Sequence, residues 1–256
     1  MSHIERQALC QLLDHELGSA KIKDYCPNGL QVEGKSTIQK IVTGVTASQK
    51  LLDAAVAAEA DAVLVHHGYF WKGEQDVITG MKKRRLQTLL QHDINLLAYH
   101  LPLDVHPVLG NNAQLGNLLA LQHVQPVAGV EPLGVLMQGQ TELPLHPTDI
   151  AAKLQLLTGR QVLLHQSAAA PQQVRRIAWC SGGGQGYIAQ AAAAGAELFF
   201  SGEVSEQTIH QADELGIHFI AAGHHATERY GIAALGRWLA TQTGVEVEFI
   251  DIDNPA

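Results

Sequence analysis

Apolar residues fall along this chain in two alternating rhythms, short continuous aliphatic runs and longer stretches repeating every three or four positions. The first rhythm marks buried strands and the second marks helices covering them. Ile4, Ala8, Leu9, Leu12, Leu13 and Leu17 recur at helical spacing, Ser2-His-Ile-Glu5 fits a capping box, and Gly18 is a natural stop. Pro27-Asn-Gly29 must turn, and it leads into a strand at about Leu30 to Glu33. Strands are then predicted at Ile38 to Gly44, Ala62 to Val65 and Ile94 to Tyr99. Helices are predicted at Ser48 to Glu59, Thr79 to His92 and Asn111 to Leu121. The middle of the chain differs in character. Leu133 to Met137 and Gln161 to His165 are strand-like, Thr148 caps a helix running through Leu157, and Ser167 to Gln173 reads as an exposed connection. Strands at Arg176 to Trp179 and Ile217 to Ala222 follow. A helix with Ile232, Leu235 and Leu239 on one side closes before Gly244, and Val245 to Ile252 alternates as a half-buried strand.

The two ends of this series resemble each other. Ile41 and Ile177 each open an apolar strand, and at the same spacing Asp61-Ala-Val-Leu-Val lies over Glu197-Leu-Phe-Phe-Ser. Ile94 then pairs with Ile217, and Leu115-Gly-Asn-Leu-Leu-Ala120 with Leu235-Gly-Arg-Trp-Leu-Ala240. The pattern predicts an internal duplication of a strand-helix unit, hence an α/β protein of two intertwined domains with mixed sheets covered by helices. We place the first repeat at 1–125. The middle segment and second repeat occupy 126–256, with the C-terminal part packing back on the first domain.

Composition narrows the class. The 256 residues are 46% hydrophobic, 16% charged and 5% aromatic, ample for a large core of Ala, Leu, Val and Ile. A formal net charge of −8 argues against a nucleic-acid surface. Lys82-Lys-Arg-Arg85, the only basic run, reads as a solvated helix face before it reads as a phosphate patch. Three separated cysteines, Cys10, Cys26 and Cys180, suit reduced thiols, and neither a signal peptide nor a spanning apolar run is present. The expectation is a cytoplasmic protein that does not engage membranes.

The chemistry gathers where strands end. Ala62 to Val65 runs into His66-His67-Gly68, a placement that aims two imidazoles at the rim of a sheet, on opposite sides because side chains alternate. Ile94 to Tyr99 ends in His100-Leu-Pro-Leu-Asp104, and Ile217 to Ala222 in Gly223-His224-His225-Ala-Thr-Glu228. His224 and Glu228 share a face if a helix begins there. Nitrogen and oxygen donors without thiolate point to a divalent ion, Zn, Mn, Fe or another. Tyr69-Phe-Trp71 either walls a pocket or packs. Ser181-Gly-Gly-Gly-Gln-Gly186 is a tight turn or an anion cradle, and Glu203 either lines the cleft or simply suits a helix N-terminus. Lys72, Arg229 and Gly182–Gly184 are candidate phosphate contacts by proximity alone.

Tyr25-x-Pro-Asn-Gly-Leu-Gln-Val, His-His-Gly at 66–68, His-Leu-Pro-Leu-Asp at 100–104, Ser-Gly-Glu at 201–203 and Gly-His-His-x-x-Glu at 223–228 resemble the Nif-three-like family over essentially the whole chain. That family carries the label GTP cyclohydrolase type 2-like. The resemblance implies a dinuclear metal site in a cleft between the domains, two divalent ions per chain (Zn, Mn, Fe or Mg), and a homo-oligomer in the form of a hexameric ring. It makes His66, His67, Asp104, His224 and Glu228 the ligands, with Glu228 bridging and catalytic, and puts His100 and His225 beside them. The activity implied is hydrolysis by a bridging water, with a small-molecule substrate such as a purine nucleotide opened at its imidazole ring. The alternative is a metal-binding ring that acts as scaffold or regulator without turnover. An oxidative di-iron enzyme fits less well, because its usual frame is a Glu-rich helical bundle.

Overall fold

The computed structural model describes residues 2–256. The chain begins with β1 (Ile4–Glu5), α1 (Arg6–Leu17), β2 (Gly29–Val32), β3 (Thr37–Ile38), β4 (Lys40–Thr46), α2 (Gln49–Ala57), β5 (Ala62–His67), α3 (Gly80–Gln91) and β6 (Asn95–Ala98). It continues through α4 (Leu101–Asp104), α5 (Asn111–Leu118), β7 (Gln122–Pro126), β8 (Met137–Leu145), α6 (Pro147–Thr158) and β9 (Leu163–His165). It ends with β10 (Val174–Cys180), α7 (Ile188–Ala193), β11 (Leu198–Ser201), α8 (Glu206–Leu215), β12 (His218–Ala221), α9 (His224–Thr243) and β13 (Glu246–Phe249). None of the helices described is long and apolar enough to cross a membrane. All three cysteines are free.

The chain divides into two compact units. One holds the residues up to Leu103 with Gly231–Asp253, the other Asp104–Tyr230 with Asn254–Ala256. In the first, a five-stranded sheet runs β13-β4-β5-β6-β2. Strands β13, β4, β5 and β6 are parallel, and β2 closes the edge antiparallel to β6. Its core packs Val42, Val63, Val65 and Leu96 of the sheet against Leu51, Leu52 and Ala55 of α2 and Leu86 and Leu89 of α3. Asp61 fixes the entry to β5. Its carboxylate accepts from the backbone N–H groups of Gln39 and Lys40 and from Lys35 Nζ at 2.6 Å. Burial raises its pKa, but these donors outweigh that and leave it lowered.

The second unit carries a six-stranded mixed sheet, β7-β8-β10-β11-β12-β9, whose β10, β11 and β12 are parallel. One apolar cluster gathers Trp179, Phe200 and Ile220 with Ile150 and Leu154 of α6 and Leu115 and Leu119. The other gathers Ala178, Phe199 and Phe219 with Ile188 and Ala191 of α7 and Ala212 of α8. Alternate residues of one strand therefore feed opposite faces.

Several elements differ from expectation. The capping box at Ser2 does not form: Ile4 and Glu5 pair with β3, and α1 starts only at Arg6. Leu133 precedes the strand rather than opening it, and β8 runs from Met137 to Leu145. Helix α6 is capped by His146, whose side chain accepts from the Thr148 N–H, with Pro147 in its first turn. The polar strand β7 had no hydrophobic signal, being exposed along most of its length.

Candidate metal centre

The first unit assembles imidazoles at the carboxyl end of its sheet. Strand β5 extends through His66 and His67 rather than stopping before them. Alternation predicts rings on opposite sides, yet the two rings lie with centroids 4.5 Å apart. Both rings are tethered through Nδ1. His66 Nδ1 lies 3.0 Å from the Tyr99 carbonyl oxygen after β6, and His67 Nδ1 lies 3.2 Å from Thr46 Oγ1 at the end of β4. Each ring is thus drawn over the strand end toward a different neighbouring strand. A carbonyl only accepts, so His66 Nδ1 carries the proton and Nε2 keeps its lone pair.

His100 joins this group. His66, His67 and His100 offer ligand atoms that all lie within 4.8 Å of one another. His100 Nδ1 donates to Asp24 Oδ1 at 3.0 Å, while the Asp24 carboxylate also accepts from Asn28 Nδ2 and the Leu101 N–H. Burial works to raise the Asp24 pKa, but His100, Asn28 and Leu101 hold it down at about 2. Tyr25 and Trp71 pack edge-on to His100 at centroid distances of 5.0 and 4.9 Å. Of the aromatic run, Trp71 therefore flanks the imidazoles. Tyr69 is instead buried, with its hydroxyl donating to the Ala47 carbonyl at 2.7 Å.

The second unit gathers the carboxylates. Asp104 and Glu228 are buried and present ligand atoms within 4.8 Å of each other. Asp104 Oδ1 accepts from Asn111 Nδ2 at 2.9 Å and Ser181 Oγ at 3.0 Å. His224 opens α9, and one turn later Glu228 Oε2 lies 3.1 Å from its Nε2. Glu203 Oε1 accepts from His224 Nδ1 at 2.6 Å. Burial opposes the His224 imidazolium, but Glu228 and Glu203 outweigh it and raise its pKa to about 9. The neighbouring thiol is no nucleophile: burial, then Asp104 and Glu228, push the Cys180 pKa far up.

The glycine-rich loop makes room for this cluster. Gly182 has φ +58°, and a Cβ there would run into the Glu228 carboxylate. The Ser181 N–H donates to Asn112 Oδ1 and the Gly182 N–H to Thr227 Oγ1, each at 2.9 Å, so the turn spends those donors internally. The other candidate phosphate contacts are placed as follows. Arg229 donates from Nη2 to the Leu157 carbonyl at 2.9 Å, and Lys72 is exposed. In the basic run, Lys82 pairs with Glu74 at 3.3 Å and lies over the Phe70 ring.

The donor set fits divalent metal. The imidazoles of His66, His100 and His224 each commit Nδ1 to an oxygen acceptor, the arrangement ligating histidines adopt, and His224 turns its Nε2 toward the Glu228 carboxylate. The structure brings His66 and His67 together in one unit, and Asp104, His224 and Glu228 together in the other. Asp24 escaped the sequence reading, although Asp24 and Asn28 four residues apart around a Pro-Asn-Gly turn are a recognisable Asx signal.

Comparison with known proteins follows the same lines. The family model described as Duf34/NIF3 (NGG1p interacting factor 3) matches residues 4–255. A Yersinia pestis protein named GTP cyclohydrolase 1 type 2 homolog is 59% identical over 245 residues, covering 96% of this chain and 97% of that protein. An Escherichia coli K12 protein of the same name is 57% identical over 246 residues, covering 96% and 97%. A solved structure titled protein ybgI, unknown function, superposes with a TM-score of 0.95 at 55% identity, covering 99% of this chain and 100% of that one. That of a Thermus thermophilus protein gives 0.90 at 36% identity, covering 99% and 100%.

Proposed function

The chain belongs to the Duf34/NIF3 family, and from that premise we propose that it is a metal-dependent hydrolase with a dinuclear centre held by His66, His67, Asp104, His224 and Glu228. The observation that carries the reading is the common tethering of the imidazoles, Nδ1 of His66 and His67 held by Tyr99 and Thr46 in one unit and Nδ1 of His224 by Glu203, one turn before the buried Glu228, in the other. The covalent path supports a shared site. Of the three points at which the chain passes between its units, Leu103–Asp104 and Tyr230–Gly231 fall in helices that carry a candidate ligand, α4 and α9, and the third, Asp253–Asn254, lies in the tail after β13. Glu228 is the bridging carboxylate in this reading.

Two divalent ions bound there would lower the pKa of a bridging water and clamp both oxygens of a developing tetrahedral centre. The protein's own part is to fix the donors. Asn111 and Ser181 hold Asp104 by its Oδ1, Glu203 aligns His224, and Gly182 leaves the Glu228 carboxylate its space. The substrate class we propose is a purine nucleotide opened at its imidazole ring, in keeping with the names of the relatives. The assembly we propose is a ring of six chains.

The test combines metal analysis with turnover. Protein purified without chelator or histidine tag is expected to hold two ions per chain and to hydrolyse a member of a panel of nucleotides, cyclic amides and phosphodiesters. Glu228→Gln is expected to lose both properties. Turnover that survives in a metal-depleted Glu228→Gln protein would contradict the mechanism. Metal binding with no turnover above that variant would leave a metal-holding scaffold.

A further inference from the structure

Two cavities of comparable size differ in what their charges are doing. One, of about 900 Å³ in the first unit, is lined by Lys35, Lys40, Asp61 and Glu246. Its lysines are already paired, Lys35 with Asp61 at 2.6 Å and Lys40 with Glu246 at 2.8 Å. The other, of about 860 Å³ in the second unit, is lined by Arg160, Val162, Gly202, Glu203, Ala221 and Gly223 among others. Here the cation is unspent. Arg160 makes no hydrogen bond or ion pair among the described residues, and its Nη1 is buried without a partner. Arg176 and Arg229, by contrast, are committed, the first to Glu197 at 2.8 Å and the second to the Leu157 carbonyl at 2.9 Å.

The position of Arg160 is built rather than incidental. It follows Gly159, the left-handed cap of α6, and its guanidinium lies against Gly223, where any Cβ would collide with it. The side chain is half-buried, so leaving the fork without an acceptor carries a desolvation cost. The cavity also adjoins the candidate metal centre. Gly223 immediately precedes His224, and Glu203 both lines the cavity and accepts from His224 Nδ1 at 2.6 Å.

We propose that Arg160 anchors an oxyanion, phosphoryl or carboxylate, of a small-molecule substrate in this cavity, beside the His224 end of the metal centre. A planar guanidinium fork matches either group by two parallel N–H···O bonds. That the anion belongs to a substrate rests on the hydrolase reading above. The anion site itself does not.

Isothermal titration calorimetry of the metal-loaded protein with inorganic phosphate and with acetate tests the assignment. Arg160→Met is expected to weaken the preferred anion at least ~10-fold at unchanged metal content. Arg160→Lys, which keeps the charge but loses the fork, is expected to weaken it less, and it supplies a second variant should the Met substitution unfold the chain. Preference for phosphate identifies a phosphoryl group, and preference for acetate a carboxylate. Equal affinity in wild type and variants overturns the proposal, as does absence of binding of either anion or loss of metal from Arg160→Met. A chain that takes up no metal yet binds phosphate through Arg160 keeps this inference and loses the hydrolase. A metal-loaded hydrolase indifferent to Arg160 does the reverse.

Discussion

At the scale of single residues, the candidate centre depends on small differences in space and proton affinity. Gly182 and Gly183 are neighbours in one loop but not equivalent. A Cβ on Gly182 meets the Glu228 carboxylate at φ +58°, whereas one on Gly183 has its nearest neighbours at an ordinary 3.7 Å. Gly182→Ala is therefore expected to cost about 1–2 kcal/mol of stability by chemical denaturation, from left-handed strain and displaced carboxylate together. It should also weaken metal binding, while Gly183→Ala stays near wild type in both. Equal behaviour of the two variants would remove Gly182 from its role. His224 carries a second prediction. Its pKa in the metal-free chain is raised to about 9, so its ion pairing stabilises fully below pH 6.5 and is lost as pH climbs through 9. At pH 7 the ring is protonated, and a metal ligand must give that proton up. Metal titrations in buffers of different ionisation enthalpy should report about one proton released per chain from this site, a contribution absent in His224→Ala.

At the scale of elements, the turn Asp24–Asn28 links the start of the chain to the helix that follows β6. Asp24 holds His100 and the Leu101 N–H, and its pKa is held at about 2 against an ordinary 3.8. A depressed carboxylate stabilises above its unfolded pKa and loses that contribution as pH falls toward 2, worth on the order of 2 kcal/mol at neutral pH. Asp24→Asn should lower stability at pH 7 by about that amount and flatten the acid limb of the stability profile between pH 4 and 2. An unchanged acid limb would show that Asp24 does not anchor the turn. The elements themselves were legible to different degrees, for a physical reason. The spacing that lays Ile41 over Ile177 also lays the register pair Ile41↔Ala62 over Ile177↔Leu198, and with the spacing that lays Ile94 over Ile217 it brings Ala62↔Asn95 onto Leu198↔His218. Buried parallel strands write their pairing into continuous aliphatic runs. Strand β8 does not, because its inward positions after Met137 are Gly139 and Thr141, and β7 has almost no buried face to declare. The candidate ligands were visible at or just after strand ends, but the tethers from Asp24, Thr46 and Tyr99 were not, since they come from segments distant in sequence.

At the scale of the whole molecule, the proposed centre makes a claim about cooperativity that neither unit makes alone. His66 and His67 belong to the unit ending at Leu103, while Asp104, His224 and Glu228 belong to the other. An ion held by donors from both binds only when both are folded. It stabilises the native chain as a whole, by about 4 kcal/mol at a free concentration a thousand times its dissociation constant. Calorimetric unfolding should then show one metal-dependent rise in Tm that covers all the heat absorbed. His66→Ala in the first unit and Glu228→Gln in the second should each abolish that rise, although they lie on different units. Ions held within single units predict otherwise: each substitution would erase the shift of its own unit and leave the other's metal-dependent transition in place. The two substitutions therefore decide between one shared centre and two separate ones without any substrate being known.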